Sequence, residues 1–461
     1  MPPGGALCLV TGFDLIVSED GASIAHVDHT IVIPPSPGFP LGEMLMVDRN
    51  DGRPSRAVEN NRVVELFAGV GGFRLALERS GWQTVLANQW EPSTKVQHAA
   101  DCYNFHWPDG TMVNEDISTV VDEVPAHDLL VGGFPCQDYS VAKTANQAKG
   151  LQGIKGVLWW SIYDILERRR PRYVFLENVD RLLKSPASHR GRDFAIILSC
   201  LAGLGYMVEW RVGNAAEYGF PQRRRRVFIV ATRMSKRSSV DPTPTIFDEG
   251  VLAQALPVWP IDDLGQRLDV PDMTLAEPDE ITKRWPSPRV TPFLDAGVMW
   301  QGKVWTSKVK PNFDGKFLTL GDVLIPDEEV PDSFFVPESQ LERWEYLKGS
   351  KSEDRVSGSG HPYKYQEGAI AYPDPTDRPA RTILTGEGGA TPSRMKHLIE
   401  MSEGRHRRLT PIELERLNGF PDDWTKSGMP DTKRAFMMGN ALVVGLVEQV
   451  GRELGRRGST S

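Results

Sequence analysis

Val63-Val64-Glu65-Leu66-Phe67-Ala68-Gly69-Val70-Gly71-Gly72 runs from a β-branched apolar stretch straight into a glycine loop. A fully buried strand carries such a run, and the glycines let the backbone turn and approach a ligand closely. The loop lacks the Gly-Lys-Ser/Thr ending of a nucleotide triphosphatase, so a phosphate cradle of that type is disfavoured. A plain tight turn is the competing reading. Either way the stretch predicts a strand, a loop and a helix opening an α/β domain.

The chain around it keeps that rhythm. From Arg62 to about Ala231, short β-branched runs alternate with amphipathic segments, which argues for an α/β domain with a mostly parallel sheet. Strands are predicted at Val63–Phe67, Thr84–Ala87, Leu129–Val131, Tyr173–Leu176, Met207–Val212 and Val227–Ala231. Leu158, Ile162, Ile165 and Leu166 recur at helical spacing, as do Phe194, Ile197, Leu198 and Leu201. In such sheets the carboxyl ends of the strands line the ligand crevice.

Two of those ends carry reactive groups. Gly132-Gly133-Phe134-Pro135-Cys136-Gln137-Asp138-Tyr139-Ser140 displays a thiol in a loop, where it reads as a nucleophile rather than core filler. Tyr173-Val174-Phe175-Leu176-Glu177-Asn178-Val179 delivers a carboxylate the same way. Glycine loop, thiol and acid in this order are the pattern of a cofactor-dependent group transfer. Gln89-Trp90-Glu91 follow the second strand, roughly 20 residues past the loop, where a dinucleotide fold places its ribose ligand. Trp90 can stack on adenine or fill the interior. Asp116 is placed to accept from an adenine amino group, with Ile117 beneath the ring.

At 461 residues the chain has room for two domains, and 40% hydrophobic with 25% charged residues is ordinary for a soluble protein. The four cysteines (Cys8, Cys102, Cys136, Cys200) form no zinc-spaced pair, so a reducing compartment and no metal are expected. No apolar run reaches the roughly 18 residues that span a bilayer, and the start has no secretory character; a cytoplasmic location follows. The net charge of −8 argues mildly against nucleic acid, but binding depends on where the cations sit. Arg223-Arg224-Arg225-Arg226 leads into an apolar strand, so alternate arginines can point into a cleft and into solvent. Arg405-His406-Arg407-Arg408 could equally be a solvated face.

Residues 1–57, rich in proline and glycine, are expected to be a poorly ordered extension. Beyond Ala231 the periodicity breaks down until about residue 400, predicting a second region of mixed or irregular structure, with Lys348–Gly360 as a flexible loop. Regular structure returns at Thr410-Pro411-Ile412-Glu413, a capping box with proline at the first helical position, ending at Asn418-Gly419. A last amphipathic helix carries Leu442, Val443, Leu446, Val447, Val450 and Leu454, and is expected to pack back on the first domain.

Six segments in this order resemble the cytosine-C5 DNA methyltransferases of bacterial restriction-modification systems: Phe67–Gly72, Phe134–Gln137, Glu177–Val179, Gln222–Arg226, Arg408–Pro411 with Gly419–Pro421, and Gly439–Ala441. The resemblance covers residues 62–231 and 405–450. It implies a Rossmann-like S-adenosylmethionine-dependent methyltransferase domain at 58–235, completed by 435–461. It also implies a smaller, irregular, β-rich target-recognition domain with its return segment at 236–434. S-adenosylmethionine would be held by Phe67, Ala68, Gly69, Gly71, Gly72, Trp90, Asp116, Ile117, Pro135, Leu158, Asn440 and Ala441, with Gln89 or Glu91 on its ribose. Cys136 becomes the nucleophile and Glu177 the acid facing cytosine N3 and its amino group. Arg224 and Arg226 match the family's base- and loop-anchoring arginines. Phe134, Gln137, Ser140, Lys155, Gln222, Thr382, Thr385 and Arg394 are candidates on the DNA side, with Glu387 beside them.

The chemistry fits those groups. Cytosine C5 is a poor nucleophile until a thiolate adds at C6, which divides one hard step into two. Glu177 and Arg226 would accommodate the charge arriving in the ring. The base must first leave the duplex, and residues 138–157, with Gly150, Gly153 and Gly156, are expected to close over it. The partners implied are double-stranded DNA and a cognate restriction endonuclease, with a monomer as the expected state. An RNA cytosine methyltransferase and a catalytically inactive DNA-binding relative are the rivals. A nicotinamide-dependent oxidoreductase would leave the thiol and the arginine run unexplained.

Overall fold

The protein is described from a computed structural model, which covers residues 61–134, 158–262, 264, 266–270, 285, 289–358, 360–401 and 403–458. The N-terminal extension, Pro135 to Val157 and part of the 263–288 stretch lie outside the described residues.

All six predicted strands are present; the first is shifted by one residue and the other five are longer than their apolar cores suggested. β1 (Arg62–Leu66), β2 (Gln83–Asn88), β3 (Met112–Val113), β4 (Leu129–Gly133) and β5 (Tyr173–Val179) pair in parallel in the order β3-β2-β1-β4-β5. β6 (Tyr206–Asn214) and β7 (Arg225–Arg233) close the order as β5-β7-β6, both pairings antiparallel. The β8 (Val258–Pro260) and β12 (Val309–Pro311) strands form a separate pair. Between them, β9 (Gln266–Asp269), β10 (Ala296–Trp300) and β11 (Lys303–Ser307) extend the main sheet beyond β6 to ten strands. Strands from beyond residue 235 thus share the main sheet.

Alternation along the strands builds a core on each face. Val63, Val131, Phe175 and Val230 point to one, Val64, Leu130, Val174 and Ile229 to the other. The helices Leu158–Arg169 and Arg192–Gly203 cover the second face with Ile162, Leu166, Phe194 and Leu198, as the spacing predicts. Each such fully buried side chain stabilises the fold by about 1.5–3 kcal/mol. The first face is covered by the C-terminal helix Val444–Gly458, whose Leu446, Val447, Val450 and Leu454 are fully or almost fully buried. Trp82 Nε1 donates to Gly451 O at 2.9 Å, tying that helix to the strand-β2 side. Among the described residues no helix is long and apolar enough to cross a membrane.

The capping box forms as read: Thr410 accepts from Glu413 N, and Pro411 occupies the first turn of the helix Pro411–Leu417. Gly419, at φ 77°, follows its Asn418 C-cap. One expectation fails, and one open alternative is decided in part. Lys348–Gly360 is not a loop but the end of a helix and the first strand of a hairpin, Lys351–Val356 paired with Pro362–Glu367. Its charged residues alternate with no apolar face, so no hydrophobic period marks it. Of the readings left open for Arg405–Arg408, the solvated face holds for Arg405 and not for Arg407 or Arg408. Arg407 is wholly buried against Glu413 at 2.7 and 2.9 Å, and Arg408 donates to Ser333 O at 2.6 Å.

Candidate functional site

The strand order reverses between β1 and β4, and both strands end in the segments singled out above. In an open α/β sheet this switch point is where a crevice forms. β4 and β5 are in register, Gly132 with Leu176 and Gly133 with Glu177, which sets the start of the thiol loop beside the acid. Gly132 has no alternative, because a Cβ there would lie 2.8 Å from Leu66 O.

Glu177 is mostly buried, and its Oε1 lies 2.8 Å from Arg226 Nε. A Cβ on Gly133 would lie 3.3 Å from the other carboxylate oxygen, so glycine leaves that side uncrowded. Asn178 locks the arrangement: its Nδ2 donates to Phe134 O at 2.8 Å, and its Oδ1 accepts from Val179 N at 2.8 Å. Asn178 thus holds the last described residue before Pro135 and Cys136. The nucleophile and Pro135, Gln137, Ser140 and Lys155 lie outside the described residues. Cys102 and Cys200 are core residues, each thiol pushed up to about 12 by burial.

The arginine run divides as its alternation predicts. Arg223 and Arg225 are exposed, and Arg225 pairs with Asp295 at 2.7 Å and Asp180 at 3.1 Å. Arg224 needs correction as a catalytic group. It is 2% exposed and donates to Gly439 O at 3.0 Å, Asn440 O at 3.2 Å and Ile383 O at 3.4 Å. Burial, reinforced by the like charge of Arg226, pushes its guanidinium down to about 9. Its side chain clamps two distant segments, at Ile383 and at Gly439–Asn440, to the approach to β7.

The glycine loop is built for close approach. Phe67 and Gly69 both have φ 56° and Gly71 φ 85°, a left-handed series that costs energy at Phe67. A Cβ on Gly69 would meet open space, while one on Gly71 would lie 2.3 Å from the Trp107 ring. Gly72 faces Leu442 and Phe420 rather than a ligand. Ala68 N donates to Asn88 O at 3.0 Å and Gly69 N to Gln89 Oε1 at 2.8 Å. Gln89 therefore spends its side-chain oxygen on the loop. Glu91, held by Gln97 through its backbone N, presents a carboxylate without a partner among the described residues. Trp90, beside it, is 37% exposed.

Asn88 Nδ2 donates to Val113 O at 3.1 Å and Glu115 O at 2.9 Å, which fixes the turn bearing Asp116. Asp116 Oδ1 accepts from Ser118 N and Oγ, and Ile117 is buried behind it. Leu158 and Ala441 are half-buried and Asn440 is exposed. Below the loop, Glu65 is fully buried, its carboxyl pushed up to about 8 by that burial, and Tyr103 Oη donates to it at 3.1 Å.

Sequence reasoning missed Trp424. Its Nε1 donates to Val70 O at 2.9 Å, and its ring stacks on His106 with centroids 3.5 Å apart. Nothing local marks a partner 354 residues away.

Several DNA-side candidates are occupied elsewhere. Gln222 is wholly buried and bonds Leu417 O, Asn418 Oδ1 and Ile383 N. Phe134 packs its ring near Trp159 in the core. Glu387 is buried on His397, with Oε1 at 2.9 Å from Nδ1. Arg394 braces the hairpin root through Leu347 O and Gly349 O. Thr382 donates its hydroxyl to Arg223 O, and Thr385 is exposed.

A family model described as C-5 cytosine-specific DNA methylase matches residues 61–456. The chain is 45% identical over 406 residues to Type II methyltransferase M.Sau3AI of Staphylococcus aureus, covering 85% of this chain and 95% of that relative. It is 36% identical over 174 residues to Type II methyltransferase M.HhaI of Haemophilus parahaemolyticus, covering 37% and 49% of the two chains. Its fold matches that of S. pombe Dnmt2 methyltransferase with a TM-score of 0.54 at 17% identity, over 87% of this chain and 99% of that one. Switch-point crevice, glycine loop and paired acid therefore sit in a matched frame that runs nearly the whole described length. The chain belongs to the C-5 cytosine-specific DNA methylase family.

Proposed function

We propose that this enzyme methylates C5 of cytosine within a specific double-stranded DNA sequence, through a transient bond from Cys136 to C6 of a base swung out of the helix. The observation that carries the reading is the Glu177–Arg226 pair, fixed at the end of β5 next to Gly133, where the thiol loop begins.

The cofactor fits what the glycine loop offers. Gly69 opens on free space, Trp90 presents a ring, Asp116 a carboxylate on a pinned turn, and Glu91 an acid, without a partner among the described residues, for a ribose diol. S-adenosylmethionine, when bound there, supplies an electrophilic methyl group on a sulfonium centre. The protein's own groups prepare the base. Extrusion costs about a few kcal/mol in lost stacking and pairing. The Cys136 thiolate adds at C6, and the displaced ring electrons make C5 enamine-like. Glu177 holds N3 and the exocyclic amine, and Arg226 faces the carbonyl side; together they stabilise the charge that addition drives into the ring. Once C5 is methylated, loss of its proton and cleavage of the C6–S bond release Cys136.

Labelled methyl transfer to duplex DNA but not to tRNA is the expected result; label on tRNA alone would replace this reading with an RNA enzyme. The type II relatives support a role in marking host DNA alongside a cognate endonuclease, in the compartment that holds that DNA. The domain division at 58–235 and 236–434 belongs to the same proposal.

Trp424 tests the cradle. Phenylalanine keeps the stack on His106 but orphans the Val70 carbonyl, a loss of about 1–2 kcal/mol. Trp424→Phe is expected to raise the KM for S-adenosylmethionine roughly tenfold, with kcat at saturation nearly unchanged. Initial rates over a cofactor titration check it, and an unaltered KM would detach Trp424 from the cofactor.

A further inference from the structure

The hairpin that replaced the expected loop has two unlike faces. Its register runs from Lys351 opposite Glu367 to Val356 opposite Pro362, and among the described residues it is a separate two-stranded sheet. On one face the side chains satisfy each other. Arg355 lies 3.6 Å over the Tyr365 ring and pairs with Glu353 at 2.9 Å, Lys351 lies 3.5 Å from Glu367, and Tyr365 donates to Glu367. On the other face Ser352, Asp354, Lys364 and Gln366 stand in two opposed pairs, all exposed, none with a side-chain partner among the described residues.

An isolated two-stranded ribbon is marginal in water, so its stability must come from its root. Arg394 supplies it, donating to Leu347 O, Gly349 O and Gly368 O and lying 3.6 Å from Glu367. Lys348, immediately before the ribbon, is wholly buried on Asp374 at 2.7 Å, and Arg381 grips the same carboxylate at 2.7 Å. From there the chain runs beside the segment that leads into β7: Ala380 N donates to Pro221 O and Arg223 N to Ala380 O, both at 2.8 Å. Arg224 then ties Ile383 to the segment that leads into Arg226. A series of hydrogen bonds and ion pairs thus links the root of the ribbon to the segment that carries Arg226.

We propose that the Ser352, Asp354, Lys364 and Gln366 face reads base edges in the major groove of the duplex and sets the methylated sequence. The inference rests on the DNA-methylating function proposed above. The major groove, about 12 Å wide, admits a two-stranded ribbon. The four side chains are base-reading types: Gln matches the adenine edge, Lys the guanine acceptors, Asp the cytosine amine, and Ser either kind of group. A second copy of this chain adding to the ribbon's edge would use backbone groups and leave these side chains idle.

The test uses the full chain, a duplex library with randomised flanks around cytosine, and bisulfite sequencing of the methylated products. Wild type defines the preferred context. Ser352→Ala, Asp354→Asn, Lys364→Met and Gln366→Ala are each expected to lose about 10- to 100-fold in kcat/KM at one base position and to relax preference there only. Unfolding midpoint and S-adenosylmethionine binding should match wild type, because all four sites are exposed. Unchanged contexts, or losses equal across all contexts, would overturn the proposal. A wild-type enzyme that methylates RNA and no duplex would instead overturn the function on which it rests.

Discussion

Cys136→Ala is expected to leave no measurable methyl transfer to duplex DNA while the protein still binds both DNA and S-adenosylmethionine. The argument runs from position to chemistry. β4 ends at Gly133, which pairs with Glu177, and Asn178 holds Phe134 O at 2.8 Å, two residues before position 136 in the sequence. Without a thiolate at C6, cytosine C5 carries too little electron density to take a methyl group, and no other described cysteine can substitute. Cys102 and Cys200 are sealed in the core with thiols pushed up to about 12, so alanine there should leave the rate intact. A duplex with 5-fluorocytosine at the target gives the direct readout. Fluorine cannot leave C5 as the proton does, so wild type should stay covalently attached after one methyl transfer, and the Ala variant should not. Residual turnover in the variant, or an attachment mapped to another residue, would end the covalent reading.

Groups carried by local pattern were legible in the sequence. The six buried runs became strands because both faces of the central sheet are covered, which forces the continuous apolar stretches that reading detects. The Thr410–Glu413 box was legible for the same reason: a cap is settled within four residues. What escaped depends on distant partners. A run of arginines looks alike whether it meets solvent or, as Arg224 does, three carbonyls 159 to 216 residues away. Gln222 looked like a DNA contact because its partners at Ile383, Leu417 and Asn418 are invisible from its own neighbourhood. β9, β10 and β11 were missed because irregular chain interrupts them, and the sheet edge that recruits them is β6, far back in the sequence.

Those long-range clamps bear on the acid. Glu177→Gln preserves shape and leaves Asn178 and the β5 register in place, so the site should keep its geometry. What changes is charge and proton supply. Glutamine cannot protonate N3, and Arg226, 2.8 Å from Oε1 and itself mostly buried, loses its counter-charge. An uncompensated guanidinium beside the ring can still balance negative charge near the carbonyl, but it cannot hold a proton at N3 when the thiolate adds. General acid assistance of this kind contributes roughly 10²- to 10⁴-fold, and kcat is expected to fall by that much. The KM for S-adenosylmethionine should stay within about twofold, a loss below 0.5 kcal/mol, because β4 and β1 separate β5 from the Trp90 and Asp116 side of the crevice. Attachment to the 5-fluorocytosine duplex should slow in proportion to kcat, since addition at C6 is the step the acid assists. If attachment kept its wild-type rate while turnover fell, Glu177 would act after the covalent bond forms, and its place beside the thiol loop would need another explanation.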